Sequence, residues 1–253
     1  MHGWLWVLHG FSLFRAYAAL WLLLLFFYWI GLALARVVPL VGPMLALCLI
    51  PGISAGLMVA CRAAQHGQPP TLRHIFEPFV RNKRAQFRLG LVYLGGFALA
   101  LAASGLFDGG LFVRAWFAGN IDPKQTVTLL TGMLAFVGLF APVMLAFWFA
   151  PALVHWKEMT ASKALFFSVF AGLRNWRAFL VYGLGWMFFM FVVPLLIAIA
   201  LGLVLSADLR GATVASFILM PYMFAAVAAM FCSFYSSYAA IFPEAPPAPA
   251  DAA

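Results

Sequence analysis

Six apolar stretches, each about the length of a membrane-spanning helix, constrain this chain most strongly. They cover about residues 18–38, 40–61, 89–106, 127–154, 179–205 and 212–241. A helix crosses the hydrocarbon core with about 20 residues, whereas the strands of a β-barrel alternate in hydrophobicity. Hydrophobic residues make up 66% of the chain and charged residues 9%, against roughly 45–50% and 25% in an average soluble domain. The sequence therefore predicts an all-α, polytopic membrane bundle with one transmembrane domain over residues 1–241.

The loops differ sharply in positive charge. The side with the N-terminus and the 62–88 and 155–177 loops carries eleven of the 15 Lys and Arg residues. The opposite side carries four, namely Arg36, Arg114, Lys124 and Arg210. Because Lys and Arg are retained in the cytoplasm, both termini are predicted there, which agrees with an even number of spans. The Pro-rich segment 242–253 is predicted to be a disordered cytoplasmic tail.

The first apolar stretch follows Arg15 and resembles the core of a signal peptide. It is longer than the usual hydrophobic region of about 7–15 residues in such peptides. The sequence therefore favours an uncleaved first span.

An internal repeat is indicated by three F-x-x-F motifs, each just before an odd-numbered span: Phe11–Phe14, Phe76–Phe79 and Phe167–Phe170. Apolar residues around each motif recur at helical spacing, and basic residues follow. This pattern predicts three short amphipathic helices at the membrane interface. The even-numbered spans each contain an internal proline, predicted to kink the helix: Pro51, Pro142 and Pro221. Chance remains the alternative in a chain with 27 Phe residues.

Several local motifs carry a family resemblance. Lys163–Ser168 reads K-A-L-F-F-S, Arg174–Phe179 reads R-N-W-R-A-F, Gly3-Trp4 lies near the N-terminus, and Pro51–Gly56 reads P-G-I-S-A-G. With these motifs the chain resembles an uncharacterised group of proteobacterial integral inner-membrane proteins over nearly its whole length. More distantly, it is similar to the membrane domains attached to some glycerophosphodiester phosphodiesterases. The phosphodiesterase barrel is absent, so the resemblance implies a multi-pass bacterial inner-membrane location and no activity.

Basic and aromatic residues at the predicted cytoplasmic interface are candidate contacts for anionic lipid headgroups. They are Arg81, Lys83, Arg84, Arg174, Trp176 and Arg177. Plain topology determination, without a lipid site, is the alternative. The basic residues lie between apolar runs and form no clustered basic face, so nucleic acid is not a predicted partner.

Residues suited to catalysis or metal binding are sparse. The sequence has no paired-histidine or C-x-x-C motif, so we predict no catalytic, cofactor or metal site. His155 near Glu158 is the one acid–base candidate. The three cysteines lie in apolar runs and are expected to pack there. Hydroxyl residues from Ser233 to Tyr238 are expected to bond neighbouring helices, with a cavity lining as the alternative.

These features favour a non-enzymatic scaffold or envelope protein whose membrane-protein partners the sequence does not identify. A transporter or lipid-handling protein is the alternative, because three kinked spans in a threefold plan could surround a cavity. The lack of a carboxylate near the bilayer midplane counts against an ion-coupled transporter. A membrane-embedded enzyme is the third hypothesis, and it would depend on His155 and Glu158.

Overall fold

The computed structural model describes residues 2–35, 37–39, 41–119, 123–204 and 209–243. These residues form twelve α-helices and no β-strand, so the predicted all-α class is confirmed. The helices are α1 (His2–Ala16), α2 (Ala18–Ala35), α3 (Val41–Gln65), α4 (Leu72–Arg81), α5 (Lys83–Asp108), α6 (Leu111–Ala118), α7 (Thr126–Phe147), α8 (Ala150–Lys157), α9 (Ala161–Arg174), α10 (Trp176–Met187), α11 (Val193–Val204) and α12 (Leu209–Ile241).

Six helical stretches of the described chain are long and apolar enough to cross a membrane, as predicted. They are Ala18–Ala35, Val41–Gln65, Lys83–Asp108, Thr126–Lys157, Trp176–Leu203 and Thr213–Ile241. The third begins at Lys83 rather than at residue 89, because α5 continues into the polar segment before the apolar run. The predicted disordered tail falls mostly on residues 244–253, which lie outside the described residues.

Two spans are irregular. The fourth is interrupted at Trp148 and Phe149, between α7 and α8, and Pro151 stands in the first turn of α8. The fifth contains a π-helical segment, Phe188–Val192, between α10 and α11. Neither irregularity was predicted, since hydropathy continues unbroken through both.

The three prolines predicted to kink the even-numbered spans lie inside helices. Pro51 is within α3, Pro142 within α7 and Pro221 within α12. Pro51 is buried, whereas Pro142 and Pro221 are exposed. The kinks themselves stay predictions.

Contacts within the chain define two compact units. Unit 1 comprises Met1–Ile30, Leu57–His74 and Asn175–Ala253, and unit 2 comprises Gly31–Gly56 and Ile75–Arg174. Each is described by itself below. The single domain predicted over residues 1–241 stays a prediction.

In unit 1, α1 packs against α10 and α12. A Cβ on Gly3 would overlap the Ala178 carbonyl, and one on Gly10 would overlap the Ser233 side chain, so these glycines let the backbones approach closely. Trp6 and Val7 are buried on the same face.

The three predicted short helices are present as α1, α4 and α9, each directly before an odd-numbered span. Each packs through a glycine against an even-numbered span: α1 through Gly10 on α12, α9 through its own Gly172 on α7, and α4 against Gly56 of α3. Each of the three short helices therefore packs against an even-numbered span.

The predicted apolar stripes of these helices mostly face outward. In α9, Phe166 is 65% exposed and Phe170 54%, whereas Ala164, Ser168 and Gly172 are buried. Small residues face the protein because lipid tails already solvate large apolar side chains, and only close backbone approach adds packing energy.

Unit 2 is built on the pairing of α5 with α7. Edge-on aromatic contacts join them, with ring centroids 5.1 Å apart for Tyr93 and Phe147 and 5.3 Å for Phe97 and Phe136. The Asp108 carboxylate accepts hydrogen bonds from the Gly110 N–H at 2.9 Å and the Phe112 N–H at 2.6 Å. It thereby starts α6, a helix that we did not predict in this loop.

Candidate functional site

The candidate site is the polar junction of unit 2 where α4, α5 and α8 meet. Asn82 separates α4 from α5, and its Nδ2 donates to the carbonyl oxygens of Val154 at 3.0 Å and His155 at 3.3 Å. Those carbonyls lie in the last turn of α8, where a helix leaves four acceptors without an intrahelical partner. One turn further along α5, the Gln86 Nε2 donates to the Pro151 carbonyl oxygen at 2.9 Å. Two amide side chains therefore fasten the start of α5 to α8.

Two contacts between titratable or charged side chains flank these amides. His155 Nε2 lies 3.2 Å from Glu77 Oε1, and the histidine side chain is 1% exposed whereas the glutamate side chain is 43% exposed. The Arg81 guanidinium lies 3.2 Å from the Glu158 carboxylate, with both side chains exposed. Glu158 follows the end of α8 in a left-handed conformation with φ of 50°, which few residues other than glycine adopt readily.

The acid–base pair that the sequence suggested, His155 with Glu158, is therefore replaced by two other contacts. His155 contacts Glu77, which is 78 residues away in the chain, while Glu158 contacts Arg81 instead. Sequence proximity suggested Glu158, and the F-E-P-F motif that carries Glu77 gave no signal of its role. The junction brings together acid, base and cation, but its carboxylates are bound to partners on neighbouring helices.

The predicted headgroup contacts of this region stand at the edge of the junction. Arg81 ends α4, and Lys83 and Arg84 begin α5, all three exposed. Arg81 is engaged by Glu158. Within the described chain, neither Lys83 nor Arg84 forms an ion pair or a side-chain hydrogen bond.

The remaining predicted headgroup contacts fall in different units. Arg174 ends α9 in unit 2, whereas Trp176 and Arg177 begin α10 in unit 1. The Arg177 guanidinium lies 5.5 Å from the centroid of the Trp176 ring, within the range of a cation–π contact. Trp176 is 56% exposed.

The serine of the K-A-L-F-F-S motif has a structural task. Ser168 Oγ accepts a hydrogen bond from the Phe149 N–H at 3.0 Å and donates one to the Leu145 carbonyl oxygen at 3.0 Å. Leu145 lies in the last turn of α7, and Phe149 lies in the interruption between α7 and α8, where regular helical bonding fails. Ser168 is 0% exposed, so it bridges this interruption from α9.

The P-G-I-S-A-G motif is likewise used inside the chain. A Cβ on Gly52 would overlap the Phe79 ring, and a Cβ on Gly56 would overlap the Ile75 carbonyl. Helix α4 thus packs closely against α3 at these two glycines.

The hydroxyl cluster of unit 1 forms hydrogen bonds between helices, as predicted. The Tyr182 and Ser233 hydroxyl oxygens are 2.6 Å apart, and Ser233 also donates to the Met230 carbonyl oxygen. Ser236 Oγ lies 3.0 Å from His9 Nδ1. In the described part of the chain, no group of three His, Cys, Asp or Glu residues is placed to hold a metal ion.

Comparison with known proteins gives one informative result. No family model and no solved structure matches the chain. A protein of Burkholderia thailandensis named "Probable inner membrane protein" is 35% identical over 262 aligned positions, which cover 98% of this chain and 94% of the relative. The distant likeness to membrane domains of glycerophosphodiester phosphodiesterases stays a prediction. At this identity and coverage, the chain belongs to the family of that probable inner membrane protein.

Proposed function

We propose that this protein is a non-enzymatic scaffold of the bacterial inner membrane, with both termini in the cytoplasm. Its basic residues at the helix junctions hold anionic lipid headgroups at the cytoplasmic face. The location follows from the six apolar spans and from the name of the relative. The orientation follows from the excess of Lys and Arg on one side.

The observation that carries this proposal is that buried polar side chains form hydrogen bonds to neighbouring helices. Ser168 bridges the interruption of the fourth span, Gln86 binds the backbone of α8, and Tyr182 bonds with Ser233. Polar groups of a membrane-embedded transport or catalytic site instead converge on a cavity and include ionisable residues. Here they join helices, which is what a rigid scaffold requires.

Two acidic or basic side chains of the described chain are buried, namely Asp108, which accepts hydrogen bonds from backbone N–H groups, and His155, which contacts Glu77. Asp108 ends the third span, His155 lies near the end of the fourth, and Glu77 is partly exposed. A pair at the end of a span is better placed to join helices at the membrane interface than to relay protons across the bilayer.

A flux measurement separates the scaffold from the transporter alternative. The purified protein is reconstituted in vesicles loaded with small fluorescent cations, anions or neutral solutes, and leakage is compared with that of protein-free vesicles. We expect no solute-selective flux. Selective flux that saturates with solute concentration would replace the scaffold by a transporter.

A lipid measurement tests the headgroup contacts. The protein is extracted with its surrounding lipid by an amphipathic polymer, and the extracted phospholipids are compared with those of the whole membrane. We expect enrichment of anionic phospholipid, reduced by Arg174→Gln with Arg177→Gln. The control is Arg73→Gln with Lys157→Gln, which removes the same charge at two other exposed positions. Equal enrichment around both double variants would remove the headgroup contacts from the proposal.

A further inference from the structure

A groove of about 350 Å³ opens in unit 2 beside the polar junction. It is lined by Cys48, Leu49, Phe79, Lys83, Arg84 and Phe87. Four of these side chains are apolar and two are cationic. Small-molecule sites in proteins begin at about 300 Å³, so the groove is large enough for part of an amphiphile.

The walls of the groove are set by close helix contacts. The Phe79 ring lies over Gly52 of α3, and Gly90 of α5 approaches the Cys48 carbonyl so closely that a Cβ would overlap it. These contacts hold α3, α4 and α5 together at small residues. The larger side chains beside them, such as Phe87, which is 54% exposed, then border an open apolar channel.

The positive charge in the lining of this groove comes from two neighbouring residues. Lys83 and Arg84 occupy the first turn of α5, where the helix macrodipole also favours an anion. Asn82 precedes α5 with its Nδ2 donating to α8, and its side chain makes no capping hydrogen bond to the N–H groups at the start of α5. Two cations and a helix start without a side-chain cap therefore lie beside the groove.

We propose that this groove binds one anionic phospholipid. Its phosphate lies between Lys83 and Arg84 at the start of α5, and one acyl chain lies along Leu49, Phe79 and Phe87. This inference rests on the membrane placement in the proposed function and adds a specific lipid seat to it.

Charge complementarity selects this groove over a larger one. Unit 1 has a groove of about 560 Å³ between α1 and α12, lined in part by Leu5, His9 and Ser236. Its lining contains no Lys or Arg. Size alone would favour the unit 1 groove. Of the two grooves, however, it is the unit 2 groove whose lining contains the cations that an anionic headgroup needs.

The test is lipid binding to the purified full chain, measured by native mass spectrometry while phosphatidylglycerol or phosphatidylcholine is titrated. We expect one tightly bound phosphatidylglycerol per chain. A Lys or Arg near an anionic headgroup contributes about fivefold to binding, so Lys83→Gln with Arg84→Gln should weaken it about 25-fold. The control, Arg73→Gln with Lys157→Gln, removes equal charge and should retain the tight lipid.

Two further arms separate a lipid seat from a plain phosphate site. Leu49→Trp fills the channel without changing charge and should also displace the lipid, with Phe87→Leu as a milder variant at an exposed position. Glycerol 1-phosphate, which has the headgroup chemistry and no acyl chain, should not compete. Competition by this compound at similar concentration, or full binding by Leu49→Trp and Phe87→Leu, would overturn the acyl channel.

Equal weakening by both double variants would mean general surface charge and would overturn the seat. The proposed function would survive that result if the Arg174 and Arg177 variants still reduced lipid enrichment and no selective flux were found. The two proposals therefore fail separately.

Discussion

Replacing Ser168 with Ala is the sharpest test of how the fourth span is held together. The substitution removes one oxygen atom and two hydrogen bonds of 3.0 Å, to the Phe149 N–H and the Leu145 carbonyl oxygen. A net hydrogen bond contributes about 0.5–1.5 kcal/mol, and side-chain bonds in membrane proteins average about 0.6 kcal/mol. Since alanine leaves almost no cavity, we expect a loss of about 1–3 kcal/mol in the free energy of unfolding.

The assay is equilibrium unfolding in mixed micelles with increasing sodium dodecyl sulfate, followed by circular dichroism. Ser162→Ala is the matched control, because Ser162 lies on the same helix and is exposed. Exposed substitutions usually change stability by less than about 0.5 kcal/mol. If Ser168→Ala and Ser162→Ala unfold at the same detergent fraction, Ser168 does not hold the interruption and our reading of the K-A-L-F-F-S motif is wrong.

Three other substitutions test two separate contacts. Gly56→Ala should destabilise the protein by about 1–3 kcal/mol, the range for overpacking, because the new methyl overlaps the Ile75 carbonyl; unchanged thermal stability would contradict the close seat of α4. A double-mutant cycle of Arg81→Gln and Glu158→Gln should give a coupling below about 1 kcal/mol that shrinks with salt, as for other exposed pairs; a larger, salt-independent coupling would contradict solvent screening.

Hydropathy and helical spacing predicted the larger architecture because both are local properties of the chain. A run of about 20 apolar residues has to be a helix in hydrocarbon, since its backbone groups find no other partners there. The three short helices were predicted from apolar spacing for the same local reason. These elements, α1, α4 and α9, are present where the F-x-x-F motifs lie.

The face that each short helix buries was not predictable in this way. In water the large apolar residues would mark the buried face, but in lipid both faces of such a helix can be apolar. The buried face of α9 is instead marked by Ala164, Ser168 and Gly172. Small residues at helical spacing were the signal that could have identified it.

The details of the junction depend on contacts distant in the chain. Glu77 and His155 are 78 residues apart, and Asn82 reaches Val154 across 72 residues. No local pattern relates such positions. The interruption at Trp148 and Phe149 was missed for the same reason, because the group that stabilises it, Ser168, comes from another helix.

The placement of the basic junctions on the cytoplasmic side of a six-span chain is the central claim. Cysteine labelling with a membrane-impermeant maleimide tests it most directly, since Cys48, Cys61 and Cys232 are all buried. In intact spheroplasts, Lys124→Cys should be labelled and Lys163→Cys should be labelled only after lysis. The opposite pattern, or labelling of both residues before lysis, would contradict the account.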